Sequence, residues 1–247
     1  MIEKHASRFP TAPRWFRPVL EAETLAIRLL YRGRRQASAP IADDAVQNFA
    51  YNDLLGYFAS ERLVPDKAPG WDVALHTARY VWAMGACVGR NVVDVGCGVG
   101  YGSFLLSWVA ASVTSVDVSR SAIETARERY PGLDFRVGDV ADPAQVPTGD
   151  IAVCFELLEH VDSPDAVLDT LLKSFPRALV SFPNPIFLGS HLNPHHVNDW
   201  PLPTLLRKIR LRGVRDVTVY HQNRRSSQVK RFGFPWNPTW LLDIRAG

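Results

Sequence analysis

The sequence lacks any long hydrophobic run. No stretch approaches the roughly 20 apolar residues of a membrane-spanning helix, and residues 1–18 have no apolar core of a secretory signal. We therefore expect a cytoplasmic protein with no transmembrane segment.

Cysteine is also scarce. Cys87, Cys97 and Cys154 show no paired spacing, which favours free buried thiols over disulfides or a zinc site.

The sequence has no large excess of one charge, since 28 Lys and Arg residues stand against 25 Asp and Glu residues. The charge is uneven, because residues 36–200 are acidic and residues 201–247 are basic. The basic segment can contact a phosphate, a nucleic acid or an anionic membrane, or it can be a helix face paired with the acidic body. The length of 247 residues and the 47% hydrophobic content suffice for one α/β core.

Predicted strands and helices alternate through the middle of the chain. Apolar runs predict strands at 91–95, 112–117, 133–138, 150–155 and 177–182, and helical spacing predicts helices at 73–84, 119–130 and 163–174. This alternation is typical of a parallel sheet with helices on both faces. Two further strands, 214–221 and 239–244, are expected to pair at the edge. We interpret residues 1–60 as an N-terminal helical extension that caps a ligand site or supports a homo-oligomer, and residues 61–247 as the main domain.

A glycine-dense turn follows the first predicted strand. The segment reads VVDVGCGVGYG, so an apolar run containing Asp94 leads into Gly96, Gly98 and Gly100. Glycine has no Cβ and tolerates positive φ, so a ligand can approach the backbone closely here. The turn therefore predicts a ligand loop, although nucleotide-binding folds have similar turns with other spacings.

Acidic residues follow the next two strands at positions that suit a nucleoside. Asp117 lies about twenty residues past the glycines, where a ribose-binding carboxylate is found in nucleotide folds. The third strand leads to Asp139 and Val140, a carboxylate and an apolar neighbour that can flank an adenine. Together with the glycine turn, these acids predict a nucleoside-containing cofactor.

Four segments in order, VVDVGCGVGYG, VTSVDVS, VGDVAD and ALVSFPNP, resemble the signature segments of the class I S-adenosyl-L-methionine-dependent methyltransferases. The resemblance covers about residues 61–247. It implies a Rossmann-like sheet of seven strands, six parallel and the last antiparallel, with the cofactor across the strand ends. The residues it implies at the cofactor are Arg79, Asp94, Gly96, Cys97, Gly98, Gly100, Asp117, Val118, Asp139, Val140 and Phe155.

Polar residues after the fourth strand predict a substrate site. Glu156, Glu159 and His160 are three and four positions apart, so on a helical turn they share one face. Two carboxylates and an imidazole suit Mg²⁺, Mn²⁺ or Zn²⁺. The loop after the fifth strand contains His195 and His196 and opens at the same sheet edge, so one of these histidines can complete the site.

This Glu-x-x-Glu-His pattern with a later histidine resembles the metal site of small-RNA 3′-terminal 2′-O-methyltransferases, and ubiquinone-pathway O-methyltransferases have a similar motif. His196 precedes Trp200 by four residues, as the later histidine does in the RNA enzymes, so the resemblance implies the ligands Glu156, Glu159, His160 and His196. Glu-His after the fourth strand also occurs in methyltransferases not known to need metal. His160 and His195 are therefore the candidate catalytic bases.

Two upstream segments indicate the acceptor. Residues 61–65 and 76–83 resemble the lead-in of bacterial methyltransferases found with polysaccharide biosynthesis genes, although Leu75 replaces a glutamate of that pattern. We expect an O-methyltransferase acting on a sugar or oligosaccharide hydroxyl with Mg²⁺ or Mn²⁺. The alternatives are an RNA 3′-terminal 2′-O-methyltransferase, a quinol or small-phenol O-methyltransferase, and an inert cofactor-binding scaffold. No RNA-binding module is evident, so a nucleic-acid partner is not expected.

Overall fold

The computed structural model describes residues 63–65, 68, 70–188, 193, 195–222, 227–231 and 239–246. The N-terminal extension expected at residues 1–60 lies outside the described residues, as do Glu61 and Arg62 of the lead-in segment. Their roles stay predictions.

Helices and strands alternate through the described region as the hydrophobic pattern predicts. The helices are α1 (Gly70–Cys87), α2 (Tyr101–Leu106), α3 (Arg120–Arg129), α4 (Pro164–Ser174), α5 (Pro185–Leu188) and α6 (Leu202–Leu211), with a 3-10 turn at Pro143–Gln145. The strands are β1 (Asn91–Val95), β2 (Ser112–Asp117), β3 (Asp134–Val137), β4 (Ile151–Phe155), β5 (Arg177–Pro183), β6 (Asp216–Gln222), β7 (Val229–Lys230) and β8 (Thr239–Arg245).

These strands form one mixed sheet in the order β3-β2-β1-β4-β5-β8-β6-β7. Strands β1 to β5 pair in parallel, whereas β8 pairs antiparallel with both β5 and β6. The expected number of seven strands is wrong by one, because the two-residue strand β7 pairs antiparallel with the end of β6. Two residues are too few to show an alternating pattern, which is why the sequence does not reveal this strand.

The core lies between the sheet and its helices. Every residue of β4 is buried, as expected of a central parallel strand with helices on both faces. The cluster around it is mainly aliphatic and includes Val93, Val116, Leu168, Leu171, Val180 and Leu242. This packing fixes the strand ends from which the functional loops emerge.

Local signals set the helix starts. The Ser119 side chain accepts a hydrogen bond from the Ala122 N–H and caps α3, a position that favours serine. Pro164 occupies the first turn of α4, where its missing N–H costs nothing.

The basic segment is partly paired with the acidic body. Lys208 Nζ of α6 lies 2.6 Å from Asp165 Oδ2 of α4, and Arg212 bonds both Asp165 and Asp169. Such exposed pairs contribute little to stability. Because Lys208 and Arg212 are paired in this way, two positive charges of the basic segment are less accessible to an anionic partner.

The three cysteines are buried and none forms a disulfide, as predicted. Within the described part of the chain, every helix is too short or too polar to cross a membrane.

Candidate active site

The functional loops emerge from one edge of the sheet. Strands β1, β2, β4 and β5 run parallel, so their carboxyl ends lie at the same edge. The glycine turn follows β1, Asp117 ends β2, and the Glu156–His160 turn follows β4. In open α/β sheets, ligands bind in the crevice outside this edge.

The glycine turn has the backbone geometry that the sequence predicts. Gly96, Gly98 and Gly100 have φ values of 77°, 54° and 83°, in the left-handed region that favours glycine. The N–H groups of Gly96 and Cys97 both donate to the Val116 carbonyl, at 2.8 and 3.1 Å. The turn is therefore bonded directly to β2.

The three glycines differ in what surrounds them. A Cβ on Gly100 would lie 2.7 Å from the Phe135 ring, and one on Gly96 would lie 2.9 Å from Leu157 Cδ1. A Cβ on Gly98 would meet no atom within 4 Å. Gly98 thus borders open space, as a residue that lets a ligand approach the backbone should.

Asp117 links this loop to the start of α3. Its Oδ2 accepts the Gly98 N–H at 2.9 Å, and its Oδ1 accepts the Ser119 N–H at 2.8 Å. The next residue, Val118, is 65% exposed, an unusual position for valine that a bound nucleoside would cover. The arrangement is compatible with the predicted ribose contact.

The adenine-flanking pair has a mixed environment. Asp139 is exposed, and its Oδ1 accepts the Ala141 N–H at 2.9 Å, so the side chain also shapes its own turn. Val140 is buried. Their roles at the cofactor stay predictions.

Asp94 is fully buried, and both of its oxygens have partners. Ser103 Oγ donates to Oδ2 at 2.6 Å, and the Tyr80 hydroxyl donates to Oδ1 at 3.4 Å. Burial raises the pKa of Asp94 to about 7, against the opposing effect of these two hydrogen bonds. The carboxylate therefore holds α1 and α2 beside the glycine turn, and its expected approach to the methionine part of the cofactor stays a prediction.

The segment Glu156–His160 forms a turn, not the expected helical face. Glu156 has φ 50°, and the His160 N–H donates to the Leu157 carbonyl at 2.9 Å. Glu159 is 2% exposed, and neither of its carboxylate oxygens has a hydrogen-bond partner among the described residues. Burial and then the charge of Glu156 raise the pKa of Glu159 well above its usual value.

Glu159 lies beside two imidazoles. One potential ligand atom from each of Glu159, His160 and His196 lies within 4.8 Å of the others. His160 Nδ1 is 3.0 Å from the His195 carbonyl, which can only accept, so Nδ1 carries the hydrogen. In the neutral ring, Nε2 then carries the lone pair, and this atom lies 4.0 Å from Glu159 Oε1.

The loop after β5 is attached to the turn after β4 by its backbone. The N–H groups of Val197 and Asn198 donate to the Glu159 carbonyl at 2.8 and 3.2 Å. The Asn198 amide also donates to the carbonyls of Leu158 and Val161. These bonds place His196 next to Glu159, as the resemblance implies, while His195 contributes its main chain.

Two predicted site residues, Arg79 and Glu156, form an ion pair with each other. Arg79 was expected at the cofactor and Glu156 in the metal set, but Arg79 Nη1 lies 3.2 Å from Glu156 Oε2. Burial alone would raise the pKa of Glu156. The Arg79 guanidinium, together with the charges of His76 and His196 and the Ser181 hydrogen bond, outweighs burial, so the pKa lies below its usual value. Phe155 is buried against Tyr80, with ring centroids 5.1 Å apart.

Some residues that shape the site carry no signal of their own in the sequence. Ser181 Oγ donates to Glu156 Oε1 at 2.8 Å, and Gln222 Oε1 accepts from Arg79 Nε at 2.6 Å. Ser181 lies in the ALVSFPNP segment. The likeness of this segment to a family signature was the one sequence feature that indicated a role for Ser181 in the site. Gln222 had no such feature, because its contacts join segments far apart in the chain.

Comparisons with known proteins agree with this architecture. Residues 92–180 match the family model of a methyltransferase domain. A probable S-adenosylmethionine-dependent methyltransferase of Mycolicibacterium smegmatis is 32% identical over 148 residues, which are 56% of this chain and 58% of the relative. A probable enzyme of the same description from Mycobacterium tuberculosis is 27% identical over 241 residues, covering 87% and 85%.

A further relative and a solved structure extend the comparison. A ubiquinone biosynthesis O-methyltransferase of Xanthomonas oryzae pv. oryzae is 38% identical over 95 residues, covering 36% of this chain and 40% of the relative. The crystal structure of a methyltransferase from Thermotoga maritima, described as a possible histamine N-methyltransferase, superposes with a TM-score of 0.58. It is 17% identical and covers 72% of this chain and 93% of its own, a likeness that shows the fold.

The sequence match and the fold coincide in one region of the chain. The match at residues 92–180 runs from β1 to β5 and includes the glycine turn, Asp117, Glu159 and His160. Residues 92–180 therefore match a methyltransferase domain, and the relatives and the fold make the chain similar to S-adenosylmethionine-dependent methyltransferases.

Proposed function

We propose that this domain is an O-methyltransferase that acts on a saccharide with adjacent hydroxyls and is assisted by Mg²⁺ or Mn²⁺. One observation carries the proposal: Glu159 is buried beside His160 and His196, and its carboxylate oxygens have no hydrogen-bond partner among the described residues. A buried carboxylate without a hydrogen-bond partner is costly, and a divalent cation would supply the missing positive charge. One carboxylate and two imidazoles form a donor set that suits such an ion.

The chemistry of alcohol methylation explains why an ion is useful here. The sulfonium methyl is already electrophilic, so the enzyme must align the acceptor oxygen with it and remove a proton from a weakly acidic alcohol. When bound, a divalent ion lowers the pKa of an acceptor hydroxyl and orients its neighbour. Glu159, His160 Nε2 and His196 would hold the ion, and the His195 carbonyl fixes the orientation of the His160 ring.

The candidate acceptor site is in contact with the candidate cofactor loop. The Leu157 side chain packs against Gly96 so closely that a Cβ on Gly96 would lie 2.9 Å from Leu157 Cδ1. The turn that carries Glu159 and His160 therefore rests on the glycine turn. This contact supports methyl transfer between groups held by the two neighbouring loops.

The saccharide class rests on the lead-in resemblance at residues 76–83 and on the requirement for adjacent hydroxyls. The loop at residues 184–200, which is rich in histidine and asparagine, contributes less to this argument than its composition suggests. Asn184 and Asn193 accept the N–H groups of Ile186 and His195, and the Asn198 amide is also bonded to backbone, so these side chains shape the loop. Aromatic side chains can line a saccharide pocket, but Phe155 and Phe182 are buried in the core.

A quinol or phenol acceptor is the second candidate. It is favoured by the 38% identity over 95 residues to a ubiquinone biosynthesis O-methyltransferase. A catechol-type acceptor also presents adjacent oxygens. An RNA 3′ end has a diol as well, but the pairing of Lys208 and Arg212 with Asp165 leaves fewer charges for a phosphate backbone.

A turnover assay separates these acceptors. Purified protein would be incubated with S-adenosylmethionine and a panel of saccharides, RNA 3′ ends and phenols, each with chelator and with Mn²⁺ restored. We expect saccharide methylation that stops with chelator and returns with Mn²⁺. Full turnover in chelator would rule out metal assistance and leave His160 as a base acting alone. Preference for phenols or RNA would rule out the saccharide class.

A further inference from the structure

The Glu156 carboxylate is paired with the Arg79 guanidinium. Its Oε2 lies 3.2 Å from Arg79 Nη1, and the two side chains are 17% and 4% exposed. A buried guanidinium is costly without a carboxylate partner, so this pairing is tightly constrained. The negative charge of Glu156 is therefore largely neutralised without any metal ion.

Ser181 holds both the carboxylate and the backbone of Glu156. Its hydroxyl donates to Glu156 Oε1 at 2.8 Å and accepts the Glu156 N–H at 3.1 Å. The same N–H lies 3.3 Å from the Ser181 carbonyl. These contacts stabilise the left-handed backbone of Glu156, with φ 50°, which a residue with a Cβ rarely adopts. The carboxylate thus points toward Arg79 and Ser181.

Arg79 cannot easily move to release Glu156. Its Nε donates to Gln222 Oε1 at 2.6 Å, and its Nη2 is 3.4 Å from Thr239 Oγ1. Gln222 in turn donates to the Leu75 carbonyl at 2.8 Å. Gln222 and Thr239 are both buried, so displacing the guanidinium would leave several buried polar groups without partners.

Unlike Glu156, Glu159 has no cationic side chain such as Arg79 and no hydroxyl such as Ser181 bonded to its carboxylate among the described residues. It is 2% exposed, its oxygens have no hydrogen-bond partner among the described residues, and it groups with His160 and His196. The group of potential ligands that the structure brings together does not include Glu156. The two glutamates of the motif therefore have different surroundings and different sources of positive charge.

We infer that the metal set has three protein ligands, Glu159, His160 and His196, and that Glu156 is a positioning residue that Arg79 and Ser181 hold in place. Glu156 fixes the start of the turn that carries Glu159 and His160. An ion with about six ligands would then keep room for two adjacent acceptor oxygens and a water. This inference rests on the proposed metal-assisted function.

The experiment measures Mn²⁺ binding to the full chain by electron paramagnetic resonance titration. The matched pair is Glu156→Gln and Glu159→Gln, which make the same chemical change three residues apart. We expect Glu159→Gln to weaken Mn²⁺ binding at least about a hundredfold, because it removes a charged ligand, and Glu156→Gln to weaken it less than about threefold. Glu156→Gln should still alter the Mn²⁺ line shape, because the turn that orients the ligands has moved.

A double variant covers the case in which Glu156→Gln unfolds because Arg79 is left buried without its partner. Arg79→Met with Glu156→Gln removes both charges, a replacement that buried ion pairs often tolerate. It should retain Mn²⁺ affinity within about threefold of wild type. Loss of binding as large as in Glu159→Gln would make Glu156 a ligand and overturn the inference while the proposed function stands. A wild-type chain that binds no Mn²⁺ would overturn both.

Discussion

The Gly98 N–H donates to Asp117 Oδ2 at 2.9 Å, and this bond joins the glycine turn to the end of β2. Gly98 also borders open space, since a Cβ there would meet no atom within 4 Å. One carboxylate therefore orders the loop and lies next to the space in which a cofactor can bind.

Replacing Asp117 with alanine should weaken S-adenosylmethionine binding tens- to hundredfold. The variant loses charge-assisted bonds to the ribose hydroxyls and to the Gly98 and Ser119 N–H groups, a change of about 2–3 kcal/mol. Calorimetric titration measures it. Asp134→Ala, which removes a half-exposed carboxylate from β3, serves as the control and should bind normally. Wild-type affinity in Asp117→Ala would contradict the ribose assignment.

Gly98→Ala should separate cofactor binding from folding. Gly98 and Gly89 both have positive φ, 54° and 66°, and a Cβ at either position meets no atom within 4 Å. Each alanine variant should therefore lose about 1 kcal/mol of stability through backbone strain. Gly98→Ala should also lose cofactor affinity at least tenfold, whereas Gly89→Ala, at the opposite end of β1, should retain it. Equal cofactor affinities in the two variants would show that the cofactor does not approach Gly98.

Asp94 should make stability depend on pH. Burial raises its pKa to about 7, whereas the carboxyl titrates near ~4 in the unfolded chain. The folded state therefore binds this proton more tightly, and the stabilisation is complete below pH ~4 and is lost as the pH rises toward about 7. Across that range, wild type should lose a few kcal/mol relative to Asp94→Asn in urea unfolding. Parallel pH profiles for the two proteins would refute the raised pKa.

His160 and His195 should differ sharply when each is replaced by alanine. The His160 ring belongs to the buried cluster, whereas His195 holds that ring through its main-chain carbonyl, which alanine retains. We expect His160→Ala to lose at least about a hundredfold in turnover and His195→Ala to stay within about threefold. Steady-state turnover with the true acceptor measures both. A comparable loss in His195→Ala would identify its imidazole as the base.

Much of the fold is predictable from the sequence because hydrophobic pattern and burial coincide in a parallel sheet. The runs at Asn91–Val95 and Ser112–Asp117 are bounded as predicted, since each carries β-branched residues between turn signals. Strand β7 is missed because it consists of Val229 and Lys230 alone. This strand forms only because it pairs with β6, and the local sequence pattern does not predict that pairing.

The candidate site is predictable where topology alone decides it. Parallel strands end at one edge, so Glu159 and His196 can be expected to meet although they are distant in sequence. The orientation of Glu156 could not be foreseen, because it depends on Arg79 and Ser181, two contacts made only after folding. Those contacts turn the expected helical face into a turn with one left-handed residue.

The central claim is that two neighbouring acceptor oxygens are held at the group formed by Glu159, His160 and His196 during transfer. The most direct test compares turnover of the preferred saccharide with that of its analogue lacking the hydroxyl beside the methylated one, in the presence of Mn²⁺. Removing that oxygen removes one coordination position and its orienting effect together, so the deoxy analogue should lose at least about a hundredfold in kcat/KM. Equal rates for the two acceptors would contradict the account.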